Sequence, residues 1–123
     1  MVTPLKLLEH ALAKPGAGSD NPWDHDFPVA KVGSGPGGGK IFAFVGAEGV
    51  GVKAGPDRDV ADEWLERYPD DASVMAYIGR SGWNSLRCGG AISDQEILEA
   101  VDESYLLVVS KLPKKHRPEG WDT

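Results

Sequence analysis

Residues 92–113 carry the strongest folding instruction in the chain. Ser93 and Glu96 are spaced as a capping box, and Ile92 and Ile97 stand at the two positions of a hydrophobic staple, so a helix start is written here twice. Ile97, Val101, Tyr105, Val108 and Leu112 then repeat at helical spacing until Pro113 ends the run. A helix with one apolar stripe must bury it against a flat apolar partner. Short runs rich in β-branched and aromatic residues supply one: 29–32, 40–45 and 50–53, separated by glycine, and later 74–78 and 83–88, joined by 79–82.

Two further helices complete the pattern. Thr3 followed by Pro4 reads as an N-cap with proline in the first turn, and Leu5, Leu8 and Leu12 continue the spacing over 4–14. After Gly55-Pro56-Asp57, Val60, Trp64 and Tyr68 repeat every fourth residue and Pro69 stops them, with an acidic opposite face. Residues 15–28 read as an ordered but irregular connection. The order α-β3-α-β2-α predicts an α+β fold, an antiparallel sheet packed with helices.

With 41% apolar and 26% charged residues, wholesale disorder is disfavoured. No apolar run approaches the roughly 18 residues of a membrane span, and residues 1–14 lack the apolar core of a signal peptide, so a cytoplasmic protein without a membrane partner is expected. The single Cys88 leaves no disulfide within the chain and no zinc site built on several cysteines.

The net charge of −6 argues against nucleic acid at first sight, yet it is unevenly spread. Residues 54–72 hold two Lys or Arg against seven Asp or Glu, and 93–110 hold five acids and no base. By contrast 74–92 has no carboxylate, and 111–123 holds four bases against two acids. A polarised surface follows if these segments separate in space.

Chemistry-bearing signatures are few. The glycine-rich run 33–40 places Ser34 where a phosphate loop has its leading glycine and Ile41 where it has a hydroxyl, and a strand follows instead of a helix. A hairpin loop is expected there. Asp24, His25 and Asp26 are adjacent, so their side chains diverge in extended chain, and no metal or cofactor is expected. Ser81, Ser85, Ser104 and Cys88 lie in no nucleophile signature, so no catalytic residue is assigned and a non-enzymatic protein is expected. Cys88 alternates with Leu86 and reads as a small buried hydrophobe.

The run Arg80-Ser81-Gly82-Trp83-Asn84-Ser85-Leu86-Arg87 is the most suggestive. Two guanidinium groups, an indole and an amide are types that meet phosphate, stack on a base or read a base edge. Spacing alone favours plainer roles as core indole, turn cation and turn amide. Strand alternation groups Trp83 with Ser85 and Arg87, and Asn84 with Leu86 and Cys88. Asn84 is therefore expected to be buried and Trp83 partly exposed, with Asn84→Ala the more destabilising change.

In chain order, Pro22-Trp23-Asp24-His25, Phe27 with Lys31, Lys40-Ile41-Phe42, Val52-Lys53, Tyr68-Pro69, Trp83-Asn84, Ser104-Tyr105 and Leu112-Pro113-Lys114-Lys115 resemble the MmcQ/YjbR family, over nearly the whole chain. The resemblance implies one domain over 1–117, with 118–123 a flexible C-terminal tail. It also implies a fold similar to type III secretion chaperones and to the double-wing DNA-binding domain of a phage transcription factor. Its recurrent polar positions fall on Lys31, Lys53, Trp83, Asn84, Arg87, Ser104, Tyr105, Lys114 and Lys115, none with a catalytic role. The chain departs from the pattern in the long loop 33–39 and in Pro28, both of which bear on the first hairpin, one of the two wings.

Three functional expectations follow. The first is a DNA-binding or regulatory module using a basic sheet face, with Lys31, Lys53, Arg80, Trp83, Asn84, Arg87, Lys114 and Lys115 as nucleic-acid-binding candidates. The second is a binder of a small apolar ligand or peptide in a cleft lined by Trp23, Phe27, Tyr77 and Trp83, with Asn84 and Arg87 orienting it. The third is a chaperone-like protein-interaction module. The oligomeric state stays open.

Overall fold

A computed structural model describes residues 1–24, 26–34 and 38–122. In chain order the elements are α1 (Pro4–Leu12), β1 (Ala17–Asp20), β2 (Val29–Val32), β3 (Lys40–Val45), β4 (Gly49–Lys53), α2 (Arg58–Arg67), β5 (Ala72–Val74), β6 (Trp83–Arg87) and α3 (Asp94–Ser110). The six strands form one antiparallel sheet in the order β1-β2-β3-β4-β6-β5, so the α+β class holds. The sheet has one strand more than expected. Residues 17–20 lack apolar alternation, and they become β1 by pairing with the free edge of β2, Ala17 opposite Val32 and Asp20 opposite Val29.

The second strand pair is also displaced from the expected 74–78. Ladder pairing with β6 stops at Val74, and Tyr77 adopts a positive φ of 66° that no continuing strand tolerates. Residues 75–78 turn instead into a 3-10 turn, Gly79–Ser81. Apolar composition suggested strand there; the turn shows that the run is a surface crossing.

Residues opposed in register share a sheet face. Ala30, Ala43, Val52 and Asn84 form one inner row, and Val45, Val50, Leu86 and Ala72 the next. Helix α3 lays Ile97, Val101, Tyr105, Val108 and Val109 on this face as its stripe dictates, beside α1 with Leu7 and Ala11. Ser93 Oγ accepts the Glu96 amide at 3.1 Å, but the Glu96 carboxylate is held by Tyr68 and Arg67, so α3 starts with half a capping box and a tether to α2. The expected α2 stripe is rotated. Val60 is exposed and Ala61 is fully buried, because α2 crosses β6 closely enough for Asn84 to reach a helix carbonyl.

One irregularity fixes the centre. Ala30 pairs with Ala43 and Lys31 with Ile41, leaving Phe42 without an opposite residue on β2: a β-bulge. The bulge turns Phe42 into the core, where its ring meets Tyr105 edge-on at 5.3 Å. Ser104 of α3 mends the adjoining ladder, its hydroxyl accepting the Lys53 amide at 2.9 Å and donating to the Phe42 carbonyl at 2.6 Å. Residues 118–122 lie on the body, Pro118 beside Gly16 and the half-buried Trp121 ring under the Arg117 guanidinium at 5.6 Å. Among the described residues no helix is long and apolar enough to cross a membrane.

Candidate functional site

Antiparallel pairing decides where the charges go. The end of β2, the start of β3, the end of β4 and the start of β6 lie at one end of the sheet. The C-terminus of α3 arrives at that same end, since the Ser34 amide donates to the His116 carbonyl at 3.0 Å. Lys40, Lys53, Arg80, Lys111, Lys114 and Lys115 belong to these segments. The opposite end, with the β3–β4 turn and the start of α3, carries Glu48, Asp70, Asp71, Asp94 and Glu96. The basic segments thus gather at one end, where the exposed Asp57 and Asp59 at the start of α2 also stand, and the other end is mainly acidic.

The residues singled out from sequence divide accordingly. Arg80, Lys114 and Lys115 are exposed at the basic end. Lys53 is also there but only 6% exposed, its ammonium donating to the Ser81 carbonyl. Burial pulls its pKa below the ordinary lysine value, helped by Lys111 and opposed by Asp57. Lys31 is bound to Asp20 at 2.7 Å, and the salt bridge holds that carboxyl below its ordinary pKa. Arg87 projects at the far end of β6 beside Asp71, at 3.8 Å. Asn84 faces inward, fully buried, and donates to the Ala61 carbonyl at 2.8 Å. A single site holding all eight does not exist: Asn84 is on the inner side, and Arg87, though on the same face as Trp83, is four residues, about 13 Å of strand, away from it.

Aromatic side chains meet on the outer face, which no helix covers among the described residues. Phe44 stacks with Trp23 at 6.3 Å and takes the edge of Trp83 at 5.6 Å. Trp83 is half-buried and Trp23 exposed. The expected cleft is only partly assembled. Tyr77 is fully exposed and Phe27 packs on the core. Sequence reading passed over Phe44, the hub of this row; simple alternation would put it on the same face as Phe42, and the bulge separates them. It also passed over Arg58, whose guanidinium donates to the carbonyls of Gly79 and Trp83 and fixes the turn that presents Arg80. An arginine in the first turn of an acidic helix has no sequence signal for that role.

The other motifs are now placed. The loop after β2 leads into strand β3, with Gly38 and Gly39 at positive φ, while residues 35–37 lie outside the described residues. Asp24 and Asp26 flank His25, which also lies outside them. The Cys88 thiol is buried, and burial together with Asp94 raises its pKa.

These features define a small α+β module: a six-stranded antiparallel sheet with helices on one face and a cluster of exposed cations at one end. Residues 12–107 match the family model described as YjbR, and the chain belongs to the YjbR family. Its fold is similar to the crystal structure of Deinococcus radiodurans protein DR2400, described by the domain name DUF419. The TM-score is 0.78 at 20% identity, over 98% of this chain and 94% of that one. No curated protein matches the chain.

Proposed function

We propose that the protein is a small non-enzymatic regulatory module that binds DNA through the basic end of its sheet. One observation carries the reading. Among the described residues, the exposed Lys40, Arg80, Lys111, Lys114 and Lys115 have no carboxylate partner and gather at one end, whereas Lys31, Arg58 and Arg67 are each engaged by an acid; Lys6, on α1, is also unpaired, and Arg87 lies only 3.8 Å from Asp71 at the opposite end. Phosphate affinity comes from cations free to displace counterions, so the segregation matters more than the net charge of −6. The half-exposed Trp83 indole borders this end and offers a stacking surface. The carboxylates at the other end keep that end away from the backbone and orient the module.

A fluorescence-anisotropy titration of labelled duplex tests the reading. Three or four phosphate contacts imply that log K falls against log salt with a slope of about −3 to −4. Replacing Lys114 and Lys115 together by glutamate should flatten that slope and weaken binding at least about tenfold. Absence of binding to duplex at low salt and tens of micromolar protein overturns the proposal.

A further inference from the structure

The outer face also carries a feature at its acidic end. Val29, Phe44, Gly51, Ser85 and Ser73 are opposed in register across β2, β3, β4, β6 and β5. Beyond Phe44 the row has only hydrogen and hydroxymethyl side chains, so the sheet surface is sunken there. The result is an open groove of about 580 Å³. Its floor is Gly49, Gly51, Ser73 and Ser85, and Met75 lies over Gly51. Its rim holds the exposed carboxylates of Glu48 and Asp70 and the guanidinium of Arg87, while the Asp71 carboxylate is largely buried and accepts the Ala91 amide at 2.8 Å.

We propose that this groove docks an extended polypeptide segment in which basic side chains alternate with apolar ones. Charge complementarity selects the sign of the occupant. Glu48 and Asp70 are exposed with no cation partner among the described residues, and Arg87 reaches Asp71 only at 3.8 Å. Nucleic acid is repelled by such a rim. Shape selects a polypeptide over a small molecule, because small ligands are largely enclosed by their pockets and this groove is open along its length. From β3 to β5 it spans three strand spacings, about 14 Å, enough for four or five extended residues. An apolar side chain of the segment takes the place over Gly51 that Met75 now covers, a thioether being easily displaced, while Arg87 donates to the segment's carbonyls.

The test uses fluorescent octapeptides alternating lysine with leucine, phenylalanine or methionine, and matched peptides with glutamate for lysine. Binding of the lysine series in the range of about 10–100 μM, without binding of the glutamate series, is expected for an interface this small. Ser85→Phe, at an exposed floor position, should weaken it at least about tenfold by filling the groove, and Glu48→Lys with Asp70→Lys at least about fivefold. Both variants should keep the parent's thermal transition, Ser85→Phe should also keep its DNA titration, and the Lys114 and Lys115 glutamate variant should keep peptide binding, so this proposal and the DNA reading fail separately. No saturation by any lysine peptide at millimolar concentration overturns it. Equal binding of the glutamate series, or indifference to Ser85→Phe, does the same.

Discussion

Asn84 of β6 donates its side-chain amide to the Ala61 carbonyl of α2 at 2.8 Å, and its Oδ1 is buried without a partner among the described residues. This is the bond that draws α2 down onto the sheet. Trp83, its neighbour, faces the other way and is half-buried against Phe44.

The first prediction compares these two. Asn84→Ala removes one buried hydrogen bond together with an already orphaned oxygen, and should cost about 1–3 kcal/mol. Trp83→Ala loses most of a large ring's contact and should cost about 2–4 kcal/mol, below the usual loss for a fully buried aromatic. The facing is the one expected from sequence, but the covered area of Trp83 reverses the expected order of cost. Urea denaturation of both variants decides it, and a larger loss at Asn84 restores the original order.

Ser104 is the second test. Ser104→Ala strands the buried Lys53 amide and the Phe42 carbonyl at once, and each orphaned group costs about 1–3 kcal/mol. A loss under about 1 kcal/mol, typical of surface substitutions, would mean that water or a rearranged ladder takes over the hydroxyl's place.

Lys53 predicts a pH dependence on the alkaline side. Its folded-state pKa lies below the ordinary 10.5, so the unfolded chain holds the proton more tightly. The buried charge therefore costs stability below the folded pKa, and that cost disappears as pH climbs from the folded value toward 10.5. Lys53→Met lacks this gain. Stability curves of parent and variant that run parallel from neutral pH to pH 10 would contradict it.

Glu96 acts on the acidic side. The Tyr68 hydroxyl at 2.6 Å, with Arg67, holds its pKa below the ordinary 4.5 against a smaller effect of burial. Its contribution is complete above pH 4.5 and is lost as pH falls through the folded value. Glu96→Gln should show a shallower acid transition than the parent, read by circular dichroism from pH 5 to pH 2. Superimposable transitions would show that the α2–α3 tether does not govern acid stability.

What the sequence made legible follows a physical divide. Helix α3 was readable because its cap and stripe are local, and the inward turn of Asn84 because alternation is local. Strand β1 was not, since its four residues become strand only through the edge that β2 offers. The unlike faces of Phe42 and Phe44 depend on a bulge defined by two strands together, and no single-strand pattern contains it. Charge counting located the basic segments, but only the antiparallel order of the strands showed that Arg87 stands at the acidic end while Lys53 stands at the basic end.

The separation of charge along the strands also gives the molecule a permanent electric moment. A dipole of this kind turns in the field of a polyanion before any contact forms, so encounters begin with the basic end leading and fewer collisions are wasted. The same moment acts between copies of the chain. At low ionic strength this attraction between unlike ends works against the repulsion set by the net charge of −6, so interparticle repulsion in dilute solution should be weaker than for a uniformly acidic protein of the same net charge, and salt should narrow the difference.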